Sequence, residues 1–268
     1  MDLFVTPRYL EPSSAGEIEA LEALVGGLPE GYRAFVAGYG GAVVDGTVRV
    51  YPPRQIVGEL AALRQRWDEN WFWESDDSSA PARATASHLV ILADTVSGDE
   101  IVYLQESPAR LWLLPRDADV VEPIGSTFDQ AVEHVCNWIL SVPRPHAPYS
   151  ISALDEPRVM FTGTFPSGGD ALAALVRTAA SIAFSSSIDE GDGPFETMGL
   201  ADQSGLVWVF RSHGSQNEPP EHWASISGAY EQPGTDAARV VERLRATGLT
   251  EQTSSGRSPE QRTDDDED

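Results

Sequence analysis

Lysine is absent from the 268 residues, and all 18 basic residues are arginines. There are 42 acidic residues, which gives a formal net charge of −24 at pH 7. A chain this acidic is repelled by nucleic acid and by anionic lipid, and it attracts basic partners from a distance. We therefore expect neither nucleic acid nor a membrane surface among its partners. A simpler interpretation, in which the acidity serves only solubility, stays open.

Cysteine and long apolar runs are equally scarce. The single cysteine, Cys136, excludes an internal disulfide and is typical of a protein in a reducing compartment. No run of about 20 apolar residues occurs, as a membrane-spanning helix would require. The first residues also lack the basic start and apolar run of a secretory signal. The sequence therefore predicts a cytoplasmic protein.

Enzyme signatures are missing as well. The chain has no Walker sequence, no HExxH, no CxxC and no G-x-S-x-G. The stretch SHGSQNEPPEHW carries His213, Glu218, Glu221 and His222, which have the donor types of a zinc site. Its prolines favour a surface loop instead. We predict a protein that is not an enzyme and has no cofactor and no metal site.

Apolar spacing predicts an α+β fold in the first half of the chain. Residues at helical period mark four helices; they are GEIEALEALVGG, LPEGYRAFVAGYGG with Pro29 in its first turn, QIVGELAALRQRW and TFDQAVEHVCNWIL. Asp45-Gly46 lies between two short β-branched runs, which predicts a hairpin. The segments HLVILAD, EIVYLQ, ARLWLLP and DVVEPIG predict an antiparallel meander.

The second half carries another α+β pattern behind a proline-rich stretch. Three prolines in SVPRPHAPYS predict a linker over residues 143–152. Strand-like and helix-like segments then predict a second α+β domain over 153–249, including a helix over GGDALAALVRTAASIAF. The acidic remainder, 250–268, has the composition of a disordered tail. Residues 1–16 form an N-terminal segment and 17–142 the first domain.

Three stretches of the first half resemble the SMI1/KNR4 (SUKH) superfamily. They are IEALEALVGGLPEGYRAFVAGYGGA, DTVSGDEIVYLQ and RLWLLPRDADVVEPIGSTFDQAVEHV, in the family's order and spacing. The resemblance covers residues 17–140, about half of the chain. The chain departs from the family pattern at Gly38-Tyr39-Gly40-Gly41, where the family commonly has an asparagine before the two glycines.

The resemblance implies a binding module whose helices pack on an antiparallel sheet. Bacterial members of the superfamily are immunity proteins that bind and neutralise a cognate toxin, and fungal members regulate through protein contacts. On this basis we expect an immunity protein for a basic, nucleic-acid-acting toxin, whose active site an acidic surface would cover. A scaffold or regulatory module without a toxin partner is the alternative.

The stretch QRWDENWFWESDDSS, residues 65–79, is the candidate interface. If the third helix continues, Trp67 and Trp71 share one face, and a single face cannot bury all four aromatic rings. We therefore expect some rings in the core and at least one at an interface, because aromatic residues anchor protein interfaces and acidic rims steer basic partners. The predicted partner-binding residues are Trp71, Trp73, Asp76, Asp77, Asp94, Asp99 and Glu100.

Overall fold

In the computed structural model, the described residues are 1–139, 148–154, 156–164, 169–190, 193–211 and 222–254. They form two compact units, the first of residues 1–3 and 10–154 and the second of residues 4–9 and 155–268. Helices and mainly antiparallel sheets occur in both, so the predicted α+β class is confirmed.

The strands of the first unit lie in an eight-stranded sheet, whose first strand belongs to this unit only at Leu3. Its strands are β1 (Leu3–Val5), β2 (Ala42–Val44), β3 (Val48–Val50), β4 (Leu89–Thr95), β5 (Glu100–Leu104), β6 (Leu111–Leu114), β7 (Glu122–Gly125) and β8 (Tyr149–Ala153), in the order β1-β8-β2-β3-β4-β5-β6-β7. Strands β4 to β7 pair antiparallel with their chain neighbours, so the predicted meander is confirmed. The hairpin between β2 and β3 is confirmed too, because Asp45 and Gly46 both have positive φ, as a type I′ turn requires.

Four α-helices belong to this unit: α1 (Ala15–Val25), α2 (Tyr32–Tyr39), α3 (Pro53–Asn70) and α4 (Phe128–Ile139). Ser14 and Glu17 form a capping box that fixes the start of α1, and Gly26 ends that helix with φ of 84°. Helix α2 starts later than predicted: Gly31 is its N-cap, and Pro29 precedes the helix instead of lying in its first turn.

The linker predicted over residues 143–152 is wrong for its last four residues. Tyr149–Ala153 form β8, which pairs antiparallel with β2. The physical reason is that the prolines of this stretch end at Pro148, so every residue of Tyr149–Ala153 has a backbone N–H that can donate to a sheet. Residues 143–147 lie outside the described residues.

The second unit is a six-stranded antiparallel sheet with two helices. Its elements are β9 (Arg158–Gly163), α5 (Gly169–Ala179), β10 (Ile182–Glu190), β11 (Gly193–Leu200), β12 (Gly205–Arg211), β13 (His222–Gly228), α6 (Asp236–Arg245) and β14 (Thr250–Ser254). The strand order is β10-β11-β12-β13-β9-β14. Apolar side chains from strands and both helices form one core, which includes Phe161, Val176 and Val240.

Two boundaries in this unit differ from the prediction. The helix predicted over GGDALAALVRTAASIAF ends at Ala179, and Ile182 begins β10, because isoleucine and phenylalanine fit the pleated surface that β11 offers. The predicted disordered tail is wrong at its start, since Thr250–Ser254 pair with β9. Residues 255–268 lie outside the described residues.

Candidate functional site

The aromatic cluster divides where α3 ends. Trp67 lies in the last turn of the helix and is 1% exposed, packed in a core cluster with Trp112 and Leu89. Helix α3 stops at Asn70, and Trp71 takes an extended conformation with ψ of 122°. The three following aromatic residues are not helical, yet Trp71 and Trp73 still pack, partly buried, against the core cluster that contains Trp67.

The segment 71–74 is held against the connection between β6 and β7. The backbone N–H of Glu74 donates to the carbonyl of Asp119 at 2.6 Å, and the N–H of Val121 donates to the carbonyl of Glu74 at 3.0 Å. The indole of Trp73 donates to the carbonyl of Pro115 at 2.6 Å. These bonds fix a segment that has no regular secondary structure of its own.

The indole N–H groups of Trp71 and Trp73 are both hydrogen-bonded, and the ring between them in the chain, Phe72, is exposed. Trp71 donates its Nε1–H to the carbonyl of Trp73 at 2.8 Å, and the two rings meet edge to face with centroids 5.1 Å apart. Both tryptophans are half-buried, whereas Phe72 is 50% exposed and rests on Trp73 with centroids 4.3 Å apart. The most exposed ring of the three is therefore Phe72, which the sequence-based set of site residues did not include.

Three of the predicted acidic residues lie inside the protein. Asp94 accepts from Nε of Arg49 at 2.8 Å, and Asp99 accepts from Oγ1 of Thr95 at 2.7 Å. Glu100 accepts from the indole of Trp67 at 2.7 Å. The expectation that these three acids form an exposed rim is wrong, because Asp94, Asp99 and Glu100 are 9%, 5% and 8% exposed.

The register of the sheet explains this burial. Asp94 and Glu100 are direct cross-strand partners in the β4–β5 hairpin. Like charges opposite each other destabilise a sheet unless each is compensated. Arg49 pairs with Asp94 and Arg66 pairs with Glu100, so each carboxylate has its own arginine. Both pairs serve the fold, and neither leaves a free anion for a partner.

Asp76 and Asp77 are exposed as predicted, but their surroundings differ. Asp77 accepts from the backbone N–H and the hydroxyl of Ser79, and it pairs with Arg110 at 2.5 Å. Hydrogen bonds from Ser79 and the charge of Arg110 lower the pKa of the Asp77 carboxyl. Asp76 has no ion pair within the part of the chain that the structure describes. Of the two, Asp76 is the one whose charge is free to attract a partner.

Further exposed acids flank the aromatic segment. Glu74, Asp117 and Asp119 are exposed, and none of them has an ion-pair partner among the described residues. Val120, which forms a parallel bridge with Glu74, is 53% exposed. We call the set Phe72, Glu74, Asp76, Asp117, Asp119 and Val120 the Phe72 surface. Apart from Asp76, sequence reasoning missed it, because the contact between residues 74 and 120 is long-range and has no local signal.

Beside this surface lies a cleft of about 210 Å³. Its lining includes Arg66, Trp67, Phe72, Trp73, Glu100 and Arg116. The buried indole of Trp67 and the half-buried indole of Trp73 supply apolar walls. Two arginines and one glutamate give these lining side chains a net charge of +1, opposite in sign to the whole chain.

Of the four candidate zinc ligands in the histidine stretch, only His222 lies within the described residues. His222 is in β13 and 1% exposed, so the surface-loop interpretation is wrong for this residue. His213, Glu218 and Glu221 lie outside the described residues. Within the described ranges, no group of three or more histidine, cysteine or acidic side chains could hold a metal ion.

No protein-family model matches the chain, and no curated protein or solved structure matches it either. Across the described residues, the helices are all too short or too polar to cross a membrane.

Proposed function

We propose that this chain is an immunity protein whose first unit is of the SUKH type and which neutralises a cognate basic toxin. The sequence resemblance over residues 17–140 and the net charge of −24 support this proposal. The single observation that carries it is the Phe72 surface: a half-exposed aromatic ring that rests on Trp73, in a segment whose Glu74 backbone is bonded to Asp119 and whose exposed acids have no ion pair among the described residues.

The rigidity of Phe72 makes it a good anchor for a protein partner. Its ring lies on Trp73, whose indole is bonded to Pro115, and the adjacent backbone is bonded at Glu74. A side chain that is already ordered loses little conformational entropy on binding, so more of the contact energy appears as affinity. Aromatic residues in such positions are enriched among the hot spots of interfaces.

The carboxylates without ion pairs favour a partner that carries positive charge. Glu74, Asp117 and Asp119 have no ion pair among the described residues, so their field acts outward. Exposed acids accelerate the encounter with a basic protein and fix the orientation in which it docks. A toxin that acts on nucleic acid has a basic active site, and an acidic surface placed over that site occupies the place of the substrate phosphates.

A pull-down from the source cells, with the full chain as bait and elution by rising salt, tests the proposal. One basic partner at equal stoichiometry, released by salt and toxic when expressed without this chain, would support the immunity function. Several unrelated partners, or a partner that is harmless alone, would favour the scaffold or regulatory function instead.

Matched variants locate the interface once a partner is in hand. Phe72→Ala is compared with Trp138→Ala, since Trp138 is also exposed, at 47%, but lies on α4. Glu74→Gln with Asp119→Asn is compared with Glu19→Gln and Glu30→Gln, which change the net charge equally at exposed positions elsewhere. We expect loss of affinity only in the first member of each pair, and loss of salt dependence only in Glu74→Gln with Asp119→Asn. Equal effects of both members would place the interface elsewhere.

A further inference from the structure

The cleft beside Phe72 has the size of one amino-acid side chain. Its volume of about 210 Å³ exceeds the roughly 150 Å³ of a protein cavity that holds benzene. It is smaller than the roughly 300–1,000 Å³ of pockets that hold drug-sized ligands. The cleft therefore accommodates one large apolar side chain, presented by a longer molecule that remains outside.

Hydrogen-bonding capacity in the cleft is biased towards donors. Both carboxylate oxygens of Glu100 already accept bonds, one from Trp67 at 2.7 Å and the other from Arg66 at 2.5 Å. Arg116 uses one nitrogen on the carbonyl of Ser97 at 3.3 Å and has no ion pair with any described residue. Its remaining N–H groups are donors, whereas the one carboxylate of the lining, Glu100, already has a donor on each oxygen.

Charge complementarity then selects the ligand. A basic side chain would meet a lining of net charge +1, in which the one carboxylate is already paired with Arg66. A carboxylate would instead bind the planar fork of the Arg116 guanidinium, which suits carboxylates because it donates two parallel bonds. Apolar walls and a free guanidinium together favour a ligand with an apolar body and an anionic end.

We propose that this cleft captures the C-terminal residue of a partner polypeptide, with its apolar side chain against Trp67 and Trp73 and its terminal carboxylate on Arg116. A C-terminal residue joins an apolar side chain and a carboxylate within the short reach that the cleft allows. Every polypeptide carries this carboxylate, including a strongly basic one, so the capture is compatible with the proposed immunity function. The inference does not rest on that function, because it follows from the lining alone.

Peptide pairs test the capture on the full chain. The probes are the pentapeptides Gly-Ser-Gly-Ser-Trp with a free C-terminal acid and with a C-terminal amide, which differ only in the carboxylate. Binding is followed by the ¹H–¹⁵N signals of the tryptophan indoles at about 0.3 M NaCl, where the Debye length is under 10 Å and repulsion by the rest of the chain is screened. We expect the acid to bind about tenfold more tightly than the amide and to shift the indole signals of Trp67 and Trp73.

Variants show which residues cause the preference for the C-terminal acid over the amide. Arg116→Gln should abolish the preference for the acid, whereas the matched Arg83→Gln, at an exposed arginine outside the cleft, should retain it. Phe72→Ala should weaken the acid and the amide alike. Equal affinities for the two peptides, no saturable binding up to several millimolar, or tighter binding of Gly-Ser-Gly-Ser-Lys would each overturn the proposal. None of these outcomes depends on whether the partner is a toxin.

Discussion

The indole of Trp67 donates a hydrogen bond to the carboxylate of Glu100 at 2.7 Å, across 33 positions of sequence. The tryptophan is in the last turn of α3 and the glutamate is the first residue of β5. This bond joins the helix to the sheet and sets the floor of the cleft. It also explains why Glu100 tolerates burial beside Asp94: Arg66 neutralises its charge, and the indole satisfies its second oxygen.

The first prediction concerns this bond. Trp67→Phe removes the indole donor and leaves one buried oxygen of Glu100 without its partner. Hydrogen bonds to charged groups contribute more than neutral ones, so we expect the free energy of unfolding to fall by about 2 kcal/mol. Urea denaturation followed by circular dichroism measures the change.

Trp73→Phe is the control, because its indole donates to the neutral carbonyl of Pro115 in a half-buried position. Its expected cost is about 1 kcal/mol. If both substitutions cost the same, the charge of Glu100 does not strengthen the Trp67 bond.

The second prediction concerns the two acids that face each other in the β4–β5 hairpin. Arg49→Met leaves Asp94 without its arginine and opposite the carboxylate of Glu100. Breaking a fully buried ion pair costs about 3–5 kcal/mol; Arg49 is partly exposed, so we expect about 2 kcal/mol. Thermal and urea unfolding measure the loss.

The double variant Arg49→Met, Asp94→Asn separates charge from packing. Because it removes the unpaired charge, we expect it to recover more than half of the stability lost by Arg49→Met. A double variant no more stable than the single one would show that the arginine stabilises by packing and not through Asp94.

The third prediction concerns pH. Burial raises the pKa of the Tyr32, Tyr51 and Tyr103 phenols, and the carboxylate of Asp94 adds to the effect at Tyr51. The folded-state pKa of each of these phenols lies above the unfolded value of about 10. Each phenol therefore contributes stability that is fully present below about pH 10 and is lost as the pH rises through the folded-state pKa. Each such tyrosine then costs up to about 1.4 kcal/mol per pH unit above pH 10.

Absorbance of tyrosinate and circular dichroism, recorded together from pH 8 to 13, test this. We expect these phenols to ionise only as the fold is lost. Tyr32→Phe should flatten the alkaline slope, although it also removes the 2.6 Å bond to the carbonyl of Tyr51 at neutral pH. Complete ionisation of all seven tyrosines near pH 10 with the fold intact would contradict the prediction.

The fourth prediction contrasts two glycines. Gly205 in β12 faces Gly228 in β13, and a Cβ at Gly205 would lie 2.2 Å from the carbonyl oxygen of Ser227. The backbone of Ser227 cannot move away from the new methyl group as a flexible side chain could. We therefore expect Gly205→Ala to lower the free energy of unfolding by about 3 kcal/mol, in the upper range for single substitutions. A melting temperature within error of the wild type would show that the strands can separate to admit the methyl group.

Gly58→Ala is the matched control. Gly58 is exposed inside α3, and a Cβ there meets no atom within 4 Å. Alanine is the better helix former and restricts the unfolded chain, so we expect a gain of about 0.5–1 kcal/mol. The opposite signs of the two glycine substitutions can be read from melting curves alone.

Local patterns predicted most elements of the first unit. Apolar residues at helical spacing located α1, α3 and α4, and alternating β-branched residues located the meander. Errors arose where pairing partners decide the structure. Tyr149–Ala153 and Thr250–Ser254 became strands because β2 and β9 offer them edges, and no local pattern encodes those edges.

At the candidate site, too, local patterns predicted part of the structure and long-range contacts decided the rest. Sequence reasoning predicted that the aromatic cluster would contribute both to the core and to the surface. It named Trp71 and Trp73 and omitted Phe72, the most exposed of the three rings, since it could not foresee that α3 ends at Asn70 and that the indole of Trp73 bonds to Pro115. It also assigned Asp94, Asp99 and Glu100 to a solvated rim, whereas all three are buried and accept hydrogen bonds from side chains of this protein.

The sequence by itself determined the α+β class, the charge of the molecule and the positions of its strongest helices and turns. These properties depend on composition and on spacings of a few residues. Tertiary structure alone decided which acids are free, which ring is exposed and that a cleft with net positive lining lies within an acidic protein. Contacts between residues 67 and 100, and between residues 74 and 120, decide these points, and such contacts exist only after the sheet has brought distant segments together.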